Sequence, residues 1–162
     1  MNCRACGAPM KLGAVGDSYT CPYCHSVYFP EKNDDGVRVM GPAEGETCPV
    51  CAIALMEASL ERTRLRYCTR CRGMLIPMDE FADLIDAVRA KKAGTMPGGP
   101  NADDDSEMQR RLPCPHCHQT MIMDFYGGGN HVVIGSCEHC ALDWVDHGKL
   151  EQIAYGVDVF RE

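Results

Sequence analysis

The chain has 162 residues, twelve of them Cys, and a net charge of −7 with His neutral. That length allows one ordinary domain or several very small ones, and the acidic balance counts against a general nucleic-acid binder. Twelve thiolates around three divalent ions would carry the charge to about −13. The opening stretch MNCRACGAPMKLG has no apolar run of signal-peptide length, and no run of about 18 apolar residues occurs anywhere. Secretion and membrane insertion are therefore not expected, and a cytoplasmic location with reduced thiols is.

Every Cys falls in a Cys-x-x-Cys pair: Cys3/Cys6, Cys21/Cys24, Cys48/Cys51, Cys68/Cys71, Cys114/Cys117 and Cys137/Cys140. Gaps between pairs alternate short and long, which predicts three four-Cys units with a hairpin between the two pairs of each. The first unit spans 1–36, with a turn at Gly16–Asp17; Pro30 and a polar run, Glu31 to Asp35, end it without a helix. A short link with Gly41–Pro42 occupies 37–45. The second unit, 46–93, closes with an amphipathic helix whose Phe81, Leu84, Ile85 and Val88 stand at i, i+3, i+4 and i+7. Asp79 and Glu80 suit the start of that helix, and Arg89, Lys91 and Lys92 its end. Residues 94–111 are rich in Gly, Pro and acid and read as a flexible linker. In the third unit, 112–162, the turn at Gly127–Asn130 leads into the β-prone VVIGS. Asp146 reads as the N-cap of a short helix with Leu150, Ile153, Ala154 and Val157 on one face.

The units also agree outside their cysteines. Met10, Leu55 and Met121 stand four residues past the second Cys of each unit. Tyr28–Phe29, Leu75–Ile76 and Trp144–Val145 stand four and five residues past the fourth. The expected fold is small, metal-stabilised and mainly β: three tandem zinc ribbons arranged like beads, with short helices after ribbons two and three.

A unit this small buries too little apolar surface to hold itself together, and a structural zinc ion contributes roughly 10–16 kcal/mol. Two Cys-x-x-Cys knuckles complete a tetrahedral sulfur shell and leave no open position for water or substrate. Three zinc ions are expected, held by all twelve cysteines. Disulfides are the competing reading, and iron also suits a sulfur tetrahedron. A thioredoxin-like motif lacks its βαβ context. Sequential pairing within each unit is the simplest, with cross-bracing the alternative.

Units two and three resemble the bacterial transcription-factor-IIB-type zinc-ribbon family, over residues 48–88 and 114–157. That pattern is a Cys-Pro-x-Cys knuckle, a hairpin, a second knuckle, a Gly-Gly-like step, Trp-Leu-Asp and a Gly-Glu-Leu helix start. The third unit supplies Cys114-Pro115-His116-Cys117, Cys137-Glu138-His139-Cys140, Trp144-Val145-Asp146 and Gly148-Lys149-Leu150. The second supplies Cys48-Pro49-Val50-Cys51, Cys68-Thr69-Arg70-Cys71, Gly73, Leu75-Ile76 and Glu80-Phe81. Residues 3–29 form a looser ribbon. Departures are Pro77 where Asp is usual, and Ala141–Leu142 where small glycines are usual.

Unit two carries an arginine stripe: Arg62, Arg64 and Arg66 alternate along a strand, and Arg70 and Arg72 follow in the knuckle. A phosphate or acidic-protein contact competes there with a solvated face paired to Glu57 and Glu61. His25, His116, His118 and His139 read as exposed knuckle residues. His131 and His147 have no evident partner in the sequence. With every thiol committed to metal, no nucleophile or vacant metal position is expected, and no enzyme. The leading function is a non-enzymatic protein-interaction module without membrane or small-molecule partners. The alternative is a nucleic-acid-binding or transcription-related regulator using the stripe; a redox or metal-handling enzyme is the third class.

Overall fold

A computed structural model describes residues 2–12, 18–91, 104–126 and 132–156. The Gly16–Asp17 and Gly127–Asn130 turns, His131, Val157 and most of the 94–111 segment lie outside the described residues. Ribbon one holds three short strands, β1 (Lys11–Leu12), β2 (Tyr19–Thr20) and β3 (Val27–Tyr28), in a sheet of that order. The chain then forms β4 (Arg38–Thr47), β5 (Ala54–Leu60), β6 (Thr63–Tyr67), β7 (Met74–Pro77) and α1 (Met78–Lys91). After α2 (Asp104–Met108) come β8 (Ile122–Phe125), β9 (Val133–Cys137), β10 (Leu142–Val145) and α3 (Lys149–Gly156).

Each ribbon is thus the same antiparallel three-strand meander, with the second knuckle between its second and third strands. Ribbons two and three are not separate beads. Their third strands pair with each other, giving one seven-stranded sheet of order β4-β5-β6-β7-β10-β9-β8. Leu75 lies opposite Trp144, Met74 opposite Val145, Ile76 opposite Asp143, and Pro77 opposite Leu142. Leu75 and Trp144 each stand four residues past their ribbon's last Cys, so an approximate two-fold axis passes between them. Residues 38–47, which the sequence assigns mostly to a short link, add the edge strand β4 along β5.

Strand alternation sends side chains to both faces of this sheet, and both are covered. On one face α1 and α3 pack on Leu65, Tyr67, Met74, Ile76, Ile134 and Val145, contributing Phe81, Leu84, Ile85, Leu150 and Ile153. The opposite face gathers Leu55, Leu75, Met121 and fully buried Trp144 against the cysteines of both ribbons. Arg89 is not a helix-end charge in solvent: its Nε donates to the Ala154 carbonyl, 2.6 Å away, tying α1 to α3. Gly73 sits directly under the indole, where a Cβ would come within 2.4 Å of Trp144 Cζ2. Only glycine leaves room for the ring.

Residues 104–112 also depart from the flexible linker that composition predicts. Buried Lys149 explains the difference: its Nζ donates to the Val133 carbonyl (2.7 Å) and pairs with Glu107 (3.0 Å) and Asp146 (3.3 Å). A buried ammonium needs such partners, and Glu107 comes from α2. Arg110 forks onto both Asp146 oxygens at 2.7 and 3.3 Å. Asp146 is therefore not a side-chain N-cap; its carboxylate also accepts from Trp144 Nε1 at 3.3 Å.

Candidate metal centres

The sequence folds into the same knuckle six times. The residue after the second Cys of every pair has a left-handed backbone: Gly7 (φ 77°), His25 (63°), Ala52 (60°), Arg72 (63°), His118 (67°) and Ala141 (56°). Its N–H donates to the carbonyl of the first Cys at 2.8–3.0 Å in five of the six. That reversal brings the second thiol back beside the first. It costs a residue with a Cβ roughly 1–2 kcal/mol. Ala141, standing where small glycines are usual, makes the turn nonetheless. Knuckle N–H groups also point at sulfur, with Cys51 N and Val50 N at 3.2 and 3.4 Å from Cys48 Sγ.

The twelve cysteines gather into three groups: Cys3, Cys6, Cys21 and Cys24; Cys48, Cys51, Cys68 and Cys71; Cys114, Cys117, Cys137 and Cys140. Pairing is sequential, not cross-braced. All four sulfurs of a group lie within 4.8 Å of one another, and no two cysteines are joined in a disulfide. The closest cross-knuckle approaches are Cys6–Cys21 at 3.4 Å, Cys3–Cys24 at 3.5 Å, Cys117–Cys137 at 3.6 Å and Cys48–Cys71 at 3.7 Å. A tetrahedron with metal–sulfur bonds of about 2.3 Å has edges of about 3.8 Å, so the donor sets fit zinc.

Without a cation, four adjacent sulfurs do not all ionise. Ser26, through its hydroxyl and then its N–H, holds Cys24 down to about 6. The Ala8 N–H holds Cys6 down, but hydrogen bonding to the neighbouring sulfurs, Cys21 first, outweighs it and pushes the thiol up to about 12. Burial, then the neighbouring sulfurs, pushes Cys140 up to about 12. A divalent ion held by these residues would reverse this by keeping all four as thiolates. Four sulfurs would complete a tetrahedral shell, and the ion they held would supply a structural crosslink between the two knuckles.

The three sites differ in their surroundings. Cys6 and Cys24 of ribbon one are exposed, whereas no cysteine of ribbons two and three is. Three Cys₄ sites on three-strand meanders define a zinc-ribbon protein. Residues 47–87 match the family model of the TFIIB-type zinc ribbon, described as a transcription factor zinc-finger. Ribbon two is thus a zinc ribbon of that type, and ribbon three has the same topology and thiol geometry. No curated protein and no solved structure matches the chain.

The arginine stripe divides. Arg62 is in the two-residue turn between β5 and β6, where Glu61 and Arg62 both take positive φ (46° and 68°), as so tight a hairpin demands. Arg64 is exposed on the strand and Arg70 on the knuckle. Arg66 pairs with Glu46 at 2.8 Å and Glu57 at 3.7 Å. Arg72 pairs with Asp35 at 2.8 Å.

Asp35 is a residue whose role the sequence hides. One carboxylate oxygen accepts from Tyr67 Oη (2.6 Å) and Arg72 Nε (2.8 Å), and the other meets His147 Nε2 at 3.1 Å. Burial alone would raise its carboxyl, but these three hydrogen bonds hold it below the ordinary value. The polar run after ribbon one is therefore a clasp on ribbons two and three, and His147 has a partner after all. The knuckle histidines, His25, His116, His118 and His139, are exposed.

Proposed function

We propose that this is a non-enzymatic, zinc-stabilised protein-interaction module. The supporting observation is that two of the five arginines, Arg66 and Arg72, are neutralised by carboxylates of the same fold. Tyr67, the aromatic nearest the stripe, is buried and unable to stack on a base. Closed Cys₄ shells support a non-catalytic role, since they offer no place for substrate. Zinc fixes the loops before any partner arrives, so binding does not have to order them.

The alternative is a nucleic-acid-binding or transcription-related regulator, favoured by the family match of ribbon two and by a cleft of about 280 Å³ where Arg64, Arg66 and His116 meet across ribbons two and three. Cross-linking in cells followed by nuclease treatment separates the two. Protein cross-links that survive nuclease and the combined Arg62→Ala, Arg64→Ala and Arg70→Ala substitutions are expected. Salt-dependent nucleic-acid capture lost in that variant would replace this reading with the regulator.

A further inference from the structure

Ribbon one has the same meander as its neighbours, but its third strand is left open. Among the described residues β3 pairs with β2 alone, while β7 and β10, its counterparts, pair with each other. Nor does a helix follow β3, as α1 follows β7 and α3 follows β10. The consequence is visible in exposure: Tyr23 is 75%, Val27 55% and Phe29 52% accessible. Half of the exposed large hydrophobic side chains among the described residues are these three. Edge strands carrying apolar side chains are templates for pairing with another chain.

We propose that β3 is a self-association edge, and that two copies of this chain pair there about a two-fold axis through Tyr28. The molecule supplies the template. In the β7–β10 joint, the residues four past the last Cys face each other, and those at three and five past face each other crosswise. Transferred to ribbon one, Tyr28 meets Tyr28 of the second copy, and Val27 of each copy meets Phe29 of the other. Pro30 stands six past Cys24, as Pro77 stands six past Cys71, so both lack an N–H donor at that position, although β3 ends at Tyr28 and β7 runs through Pro77. A β edge closed this way satisfies its backbone groups and places apolar pairs side by side across the joint. The proposal rests on the interaction-module reading, whose partner it supplies for this one surface, and it is tested on purified protein alone.

Sedimentation of the zinc-loaded full chain over a concentration series should show the mass rising from one copy to two. Val27→Lys or Phe29→Glu alone should move the midpoint to at least about tenfold higher concentration, with three zinc ions retained. The double variant should restore association, because the new ammonium at 27 then faces the new carboxylate at 29 of the second copy. A wild-type chain that stays monomeric overturns the proposal, as does a dimer indifferent to both single substitutions. Single variants that dissociate without rescue by the double overturn the two-fold register. A monomeric wild type whose nuclease-resistant cross-links persist in cells removes the edge and leaves the interaction module standing.

Discussion

Ribbon one and the fused pair of ribbons two and three share a metal chemistry and differ in what surrounds it. In the pair, third strands join, two helices cover one face, and Trp144 fills the other. Ribbon one has two-residue strands, two exposed cysteines and an apolar step that stays partly open, with Tyr28 half-buried and Phe29 exposed. The comparison teaches that the knuckle pair recurs with little packing around it, while a packed core forms where two ribbons share a sheet.

The strongest way to break the comparison is to remove a ligand on each side. Cys68→Ser should unfold the fused sheet and release zinc from ribbon three as well as ribbon two, since structural zinc carries roughly 10–16 kcal/mol of the folding energy. Cys21→Ser should cost one ion and leave the pair intact. Native mass spectrometry reads the ion count, and hydrogen exchange on β9 and β10 reads the fold. Loss of a single ion in both variants would show the two ribbons to be independent.

Chelation sharpens the same difference without mutation. The first ion lost should be that of ribbon one, whose Cys6 and Cys24 are open to a competing ligand. A stepwise titration followed by amide shifts of residues 18–30 and 133–145 would display the order. Simultaneous release would contradict it.

Smaller effects probe the joint. Gly73→Ala drives a Cβ into the indole and should cost about 1–3 kcal/mol, measured by denaturant midpoint with the lone tryptophan as reporter. The same substitution at Gly7, where nothing lies within 4 Å of a Cβ, pays only for its left-handed backbone and should leave that midpoint unchanged. Asp35→Ala strands the Tyr67 hydroxyl and the Arg72 guanidinium, a loss of about 1–3 kcal/mol. Its readout should include faster exchange at His147, because the clasp reaches ribbon three. Smallest of all, Ala52→Gly and Ala141→Gly relieve positive φ and should stabilise by up to about 1 kcal/mol, the relief being offset in part by greater freedom of the unfolded chain.

Much of the site is written in local spacing. Two residues between thiols set a knuckle, and fourteen to nineteen between knuckles set a hairpin, because ligand geometry acts over a few residues. The buried stripe of α1, with Phe81, Leu84, Ile85 and Val88, is local in the same way. The equal positions of Leu75 and Trp144 contain a signal for the joint, but spacing alone names no partner for a strand. Asp35 in a polar run, Glu107 and Arg110 in an acidic connector, and Lys149 at a helix start all look like surface residues when read singly.

The sequence by itself therefore determined three Cys₄ zinc ribbons, a hairpin within each and the helices that follow two of them. Hairpins and knuckles are made of contacts close along the chain, and their residue types leave few alternatives. Only the tertiary structure decided that ribbons two and three are one sheet, that Arg66 and Arg72 are neutralised, and that the polar segments at 33–37 and 104–112 fasten the assembly. Those outcomes depend on which apolar edges meet and which buried charges need partners. Both are settled by packing between residues tens of positions apart.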